Sequence, residues 1–377
     1  MKSVVGRQDA AAGGAAQFVD PTFSEAVIHW QKQHGRHALP WQNTRDAYRI
    51  WLSEIMLQQT QVTAVIPYYQ RFLVSFPDVG SLAGAPSEEV MAHWSGLGYY
   101  SRARNLHQCA KRIVAEYGGA FPGDPELLAQ MPGIGRSTAA AIAAFSCGAR
   151  AAILDGNVKR VFSRVFGIDG YPGAKPVEDK LWQRAVALLP ERDVESYTQG
   201  LMDLGATLCT RSKPSCGSCP LAQRCVALAT NRVNELPMRK PKKAVPEKYT
   251  TMLVITDRDR VLLEQRPDSG IWGGLLSLPE AEPLVASELG FEQMLAPTIA
   301  PFGVPDTCER LQPFSHVFTH FKLHVAPYRV RLARRIEMAA EARHVWYQTD
   351  KLQDAPLPAP VKKLLLAVFR DNDLLSA

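Results

Sequence analysis

The chain has 377 residues, enough for two domains that each bury a core of their own. Apolar residues make up 46% and charged residues 21%, the balance of an ordinary soluble globular protein. A net charge of +6, from 43 basic and 37 acidic residues, permits a polyanionic partner without demanding one.

The elements follow in chain order. Residues 1–22 begin with an Ala- and Gly-rich stretch that reads as a disordered extension. No run of about 18 apolar residues and no signal-peptide core occurs, so the expectation is a cytoplasmic protein with no membrane partner. From Phe23 to Ala229 the pattern is helical, with breaks expected at Pro67, Pro77, Pro86, Pro122 and Pro132. Residues 230–248 carry Arg239, Lys240, Lys242 and Lys243 among prolines and read as a basic, extended linker. Residues 249–370 read as an α+β domain. Its first strands, Thr250 to Thr256 and Val261 to Arg266, form a hairpin turned at Arg258-Asp259. Further strands are expected at His316 to Val325, Pro327 to Leu332 and His344 to Gln348, and helices at Glu282 to Leu295 and Val361 to Phe369.

Four cysteines carry the sharpest spacing. Cys209, Cys216, Cys219 and Cys225 read C-x6-C-x2-C-x5-C, and four thiolates in one loop can enclose a [4Fe-4S] cluster. Zinc is the rival, although only Cys216/Cys219 forms a short knuckle. The isolated Cys109, Cys147 and Cys308 read as small buried apolar residues. Pro132-Gly133-Ile134-Gly135 makes a tight turn into a helix, leaving backbone N–H groups free for a phosphate at Gly133 and Gly135. Glu54 shares a helix face with Ile50, Trp51 and Leu57, where desolvation would raise its pKa and suit it to act as a general acid. A plain surface glutamate is the alternative. Asp155, before Gly-Asn-Val-Lys, makes a good helix N-cap, and capping alone could explain it. Arg102, Arg104, Lys159, Arg160, Arg211 and Lys213 are candidates to meet phosphates.

The hairpin followed by LDGNVKR, with SEIMLQQTQV (53–62) and GLGYYSRARNL (96–106), resembles the helix-hairpin-helix DNA glycosylases, and closely the MutY-type adenine DNA glycosylases. The likeness extends from about Ser24 to Arg370. It implies a multi-domain chain: an all-α helix-hairpin-helix glycosylase domain with an iron–sulfur cluster loop, then an α+β Nudix-like domain. It makes Glu54 the acid that protonates departing adenine, and Asp155 the carboxylate facing the cationic sugar, with Asn157 fixing sugar or water. Ser137 stands where strand-cutting relatives carry a Schiff-base lysine, so a monofunctional enzyme is expected. By the same likeness Leu39, Trp41 and Gln199 line the adenine pocket, while Gln59 and Tyr99 fill the gap left by the flipped nucleotide. His37 matches no motif position.

The second domain resembles a Nudix fold at Ser269-Gly-Ile-Trp-Gly-Gly-Leu275, yet lacks the Arg-Glu and Glu-Glu pairs of the magnesium-binding hydrolases. Phe318-Thr319-His320 falls where the family senses 8-oxoguanine, with Thr in a Ser position; the bland alternative is an alternating strand. The expected function is therefore excision of adenine opposite 8-oxoguanine or guanine in duplex DNA, by a monomer in the bacterial cytoplasm associated with the nucleoid. Its rivals are a bifunctional endonuclease III-like glycosylase/lyase, a nucleotide-pool Nudix hydrolase and a non-catalytic DNA-binding module.

Overall fold

The computed structural model describes residues 19–240, 245–267, 270–283, 291–336 and 343–373. Most of the expected N-terminal extension, the linker at 241–244, Ser269 and residues 284–290 of the helix expected from Glu282 lie outside the described residues. Backbone proximity divides the chain into two units, one of residues 1–83 and 108–242, the other of 84–107 and 243–377.

Helices follow one another through residue 229. They are α1 (Pro21–His34), α2 (Ala47–Leu57), α3 (Val62–Ser75), α4 (Val79–Gly84), α5 (Ser87–Trp94) and α6 (Ser101–Tyr117). Then come α7 (Pro125–Leu128), α8 (Arg136–Cys147), α9 (Gly156–Val165), α10 (Lys175–Ala187), α11 (Val194–Asp203) and α12 (Val226–Ala229). Four of the helix starts in the first unit are set by aspartates. Asp20, Asp46, Asp124 and Asp155 each accept a backbone N–H from the first turn of α1, α2, α7 and α9. Gly148, in the left-handed region at φ 71°, ends α8.

Pro67 does not break its helix as expected: it sits inside α3. Pro67 and Thr63, whose carbonyl loses its intrahelical donor, are both exposed, so water can satisfy that group. The core of the first unit gathers around Phe23, Phe162 and Tyr197, with Phe166 packed against it. Ring centroids stand 5.9 Å apart for Phe23–Phe162 and 6.5 Å for Phe23–Tyr197, both edge-to-face. Such pairs add about 0.5–1.5 kcal/mol each beyond their buried area.

The second unit carries a mixed sheet of β1 (Glu247–Asp257), β2 (Arg260–Gln265), β3 (Leu276–Ser277), β4 (Glu280–Ala281), β5 (Gly303–Arg310), β6 (Phe314–Val317), β7 (Lys322–Arg335) and β8 (His344–Gln348). Its main path runs β3-β2-β1-β7-β5. β1 is central: residues 250–256 are buried without a break, as a strand covered on both faces must be. It pairs parallel to β7 from Glu247↔Lys322 to Thr256↔Arg331, and antiparallel to β2 through the expected turn. Helix α13 (Phe291–Ile299) supplies Leu295 and Ile299 to the core with Phe302, Tyr328 and Val330. Helix α14 (Ala359–Asp373) closes the chain.

Three expectations change here. Glu282 and Pro283 are not helical. The single strand expected from His316 to Val325 is two strands, with Phe318 to Phe321 turning between them. Residues 303–310 form β5, whose mostly exposed side chains gave no alternation to read.

Candidate active site

In the first unit a cavity of about 540 Å³ opens beside α2, lined by Leu39, Trp41, Glu54, Phe145 and Gln199 among others. Glu54 reaches it from the last turn of α2, whose Ile50, Trp51 and Ile55 are buried. The loop carrying Leu39 and Trp41 is cross-braced. The Leu39 N–H donates to Gln42 Oε1 at 3.0 Å, Gln42 Nε2 to the Arg36 carbonyl at 2.8 Å, and Asn43 Nδ2 to the His37 carbonyl at 2.9 Å. Trp41 is buried edge-on against Tyr69, with ring centroids 5.3 Å apart. His37, which matched no motif, lies on the same wall.

Behind that wall stands a group that sequence reasoning missed. Asp203 is fully buried and accepts from the Arg36 backbone N–H at 2.8 Å, from Arg36 Nε at 2.7 Å and from Gln199 Nε2 at 2.8 Å. These bonds span 167 residues between Arg36 and Asp203, so no local pattern announces them.

Burial pushes the Glu54 carboxyl up to about 7, and the nearby negative charge of Asp155 adds to the rise. Asp155 itself is raised by burial, while N–H donors from Val158 and Asn157 and the charge of Arg160 oppose the shift. The two carboxyls therefore feel each other, although Asp155 does not line the cavity that Glu54 faces. Asp155 Oδ1 caps α9 through the Val158 N–H at 2.7 Å, and Asn157 Nδ2 approaches Oδ2 at 3.4 Å. Ser137 does not cap α8. Its hydroxyl accepts the Leu154 N–H at 2.9 Å, because Gly135 occupies the N-cap position.

The hairpin lies at residues 131–135: Gly133 takes φ 77°, Ile134 is buried, and both glycines are exposed. No side chain caps α8, which leaves first-turn N–H groups outward. Gln58 Nε2 donates to the Gly133 carbonyl at 3.3 Å, and the neighbouring Gln59 is exposed at φ 58°, a strained conformation for a residue with a side chain.

Several cations expected on phosphates are engaged within the protein instead. Lys159 Nζ meets Glu178 at 2.6 Å. Arg160 donates to the Cys209 and Gly205 carbonyls and to Asn157 Oδ1, each within 2.8 Å. In the second unit Arg102 is buried, with its guanidinium near the Gly98 carbonyl, and Arg104 donates to the Gly273 carbonyl.

Cys209, Cys216, Cys219 and Cys225 line one apolar cavity with Val161, Leu204, Leu208 and Leu221. Burial pushes the Cys219 thiol up to about 11, with smaller upward contributions from the other three cysteines. Arg164, a buried residue that the sequence did not single out, points Nη1 at Cys209 Sγ from 3.3 Å. Among the described residues no three His, Cys, Asp or Glu side chains converge as ligands of a single ion. Of the isolated cysteines, Cys109 is buried as expected, Cys308 is half-buried and Cys147 is exposed at the end of α8, its thiol donating to the Ala143 carbonyl.

In the second unit Tyr99 is 48% exposed at φ 50°, as strained as Gln59 in the first. Phe318, Thr319 and His320 lie on the turn after β6. Phe318 is half-buried, stacked on Phe321 at 4.6 Å and set 5.6 Å from Trp272, whereas Thr319 and His320 are exposed. The turn thus presents a hydroxyl and an imidazole outward on an aromatic base.

Residues 52–186 match the HhH-GPD superfamily base excision DNA repair protein model, and residues 250–367 the NUDIX domain model. The adenine DNA glycosylase of Buchnera aphidicola subsp. Acyrthosiphon pisum is 37% identical over 91% of this chain and 96% of its own. The human adenine DNA glycosylase is 31% identical over 91% and 73%. A solved thermostable thymine-DNA glycosylase is 28% identical, with TM-score 0.51, and covers 59% of this chain and 100% of its own. A helical base-excision module, a following Nudix-like domain and relatives matched nearly end to end lead to one conclusion: the chain is a DNA N-glycosylase and belongs to the adenine DNA glycosylase family.

Proposed function

We propose that this enzyme excises adenine opposite 8-oxoguanine or guanine by hydrolysing the N-glycosidic bond of a flipped nucleotide, without cutting the strand. The observation that carries this reading is the Glu54 carboxyl on the cavity wall, held at about 7 within electrostatic reach of Asp155. At neutral pH a large fraction of Glu54 retains its proton and can give it to the departing base. Asp155, held by the N-terminus of α9, supports the positive charge that develops on the sugar. Leu39, Trp41 and Gln199 hold the adenine, and Asn157 orients sugar or water beside Asp155. Ser137 offers no amine for a Schiff base, which supports hydrolysis alone.

The exposed first turn of α8, with Gly133 and Gly135, takes a backbone phosphate. Gln59 and Tyr99 fill the space that the flipped nucleotide leaves, and Phe318, Thr319 and His320 meet the 8-oxoguanine. The four cysteines suit a [4Fe-4S] cluster: all four line one apolar cavity, and a cube takes each cysteine at a separate corner. When bound, the cluster braces the loop from Cys209 to Cys225 and supplies no proton or hydride. The protein acts as a monomer on duplex DNA.

The test is base release under single-turnover conditions from duplexes carrying A opposite 8-oxoguanine, G or T. Free adenine is expected from the first two, and Glu54→Gln is expected to bind duplex but release none. Normal release by Glu54→Gln removes Glu54 from the mechanism, and efficient borohydride trapping on DNA would make the enzyme a lyase.

A further inference from the structure

A second cavity of the first unit, of about 580 Å³, is lined by six cations: Lys159, Arg160, Arg164, Arg211, Arg239 and Lys240. No carboxylate side chain lines it. Three of the six are already satisfied. Lys159 pairs with Glu178, and Arg160 and Arg164 are spent on backbone carbonyls, Arg164 donating to Leu236 at 2.8 Å and to Thr210 at 2.7 Å. Arg211, Arg239 and Lys240 have no side-chain hydrogen bond or ion pair among the described residues.

The wall made by residues 234–240 is not a loose tail. Leu236 is buried, its carbonyl is held by Arg164, and the Met238 sulfur accepts the Gly170 N–H at 3.1 Å. Arg239 and Lys240 follow that anchor directly, so their charges are brought to the cavity by a fixed backbone. Like charges confined to one concavity raise its potential, and an anion that enters relieves their repulsion.

We propose that this cavity binds a backbone phosphate of duplex DNA, and that the bound phosphate fastens the start of the linker to the glycosylase unit. Tetrahedral oxyanions from other sources share the chemistry, inorganic phosphate above all, so the test separates the two. The inference rests on duplex DNA as substrate and not on which mispair is cut.

In the full-length protein, the dissociation constant for an undamaged duplex is measured against salt for the wild type and for the pair Arg239→Ala/Lys240→Ala. Each neutralised phosphate contributes about 0.9 to the log–log slope, so loss of the one held here should make the slope shallower by about 0.9. The charge-preserving pair Arg239→Lys/Lys240→Arg should restore it, with the melting temperature reporting that both variants fold. Trypsin cleavage after Arg239, the bond before Lys240-Pro241 being the susceptible one here, should slow at least tenfold on the duplex. An unchanged slope, or cleavage indifferent to DNA, overturns the proposal. Protection by millimolar inorganic phosphate equal to that given by duplex would make the cavity a free-anion site and overturn it as well. Because the probe is undamaged duplex, failure here leaves the excision chemistry proposed above standing.

Discussion

The hydroxyl of Ser137 accepts the backbone N–H of Leu154 at 2.9 Å, tying the first turn of α8 to the residue just before Asp155. Ser137→Ala removes that tie. The half-buried N–H left without a partner should cost about 1 kcal/mol of stability. Excision in a single turnover should fall about 10- to 100-fold through misplacement of Asp155, with duplex affinity little changed. An unaltered rate constant would show that Asp155 is held by its own helix cap alone.

The pH response has a definite sign. Glu54 in the folded protein is raised to about 7 from an ordinary 4.5, chiefly by burial and then by the charge of Asp155. The folded state keeps a proton that the unfolded chain gives up, so stability falls as pH rises from about 4.5 to about 7 and levels off above. The drop is about 3 kcal/mol. Glu54→Gln, neutral at every pH, should lose this dependence in denaturant melts. On the proposed mechanism the protonated form is the active one, so wild-type excision should decline as pH climbs through about 7.

The two hairpin glycines should behave differently. Gly133 sits at φ 77°, where a side chain is strained, and Gly133→Ala should cost about 1 kcal/mol. Gly135 lies at φ −89°, and a Cβ there meets nothing within 4 Å. Gly135→Ala should therefore melt like the wild type. A weakened affinity for duplex in that variant would locate a close backbone approach at this residue; unchanged affinity would place the phosphate elsewhere.

Metal analysis tests the cysteine loop. Protein purified without oxygen should carry about four irons and four sulfides per chain. Cys219→Ser should lose much of that iron and loosen the loop. One zinc per chain in place of iron would refute the cluster.

Thr319 tests the proposed lesion contact. Thr319→Val keeps the shape and removes the hydroxyl, and should narrow the preference for 8-oxoguanine over guanine by about tenfold, an energy near that of one hydrogen bond. Thr319→Ser should preserve it. A preference unaffected by Val would shift recognition to other residues of the turn.

What could be read in the residues alone was whatever depends on neighbours close in the chain. Glu54 was visible because Ile50, Trp51 and Leu57 lie three or four positions away, and Asp155 because a cap acts on the residues that follow it. The cysteine loop and the hairpin of β1 and β2 are short-range for the same reason. The link from Arg36 to Asp203 was invisible, since the two meet only when the loop after α1 packs on α11; Gln199, four positions before Asp203 on α11, is the local partner in that group. The structural bond of Ser137 was not legible, because its partner, Leu154, lies 17 residues on. Arg160 read as a phosphate contact because its carbonyl acceptors, on Gly205 and Cys209, lie more than forty residues downstream. Pro67 misled because the usual cost of an interior proline shrinks where the orphaned carbonyl faces water.

One bond in that hidden group has a consequence for base choice. Asp203 can only accept, so the Gln199 amide must turn its NH2 toward it, and the orientation of the amide is no longer free. The oxygen of Gln199 is then the end left for an incoming base. An exocyclic amine such as that of adenine can satisfy it, whereas a purine with a carbonyl at the same ring position would set oxygen against oxygen. Under the proposed placement of adenine against Gln199, a carboxylate that does not line the cavity would thereby filter amino-purines from keto-purines.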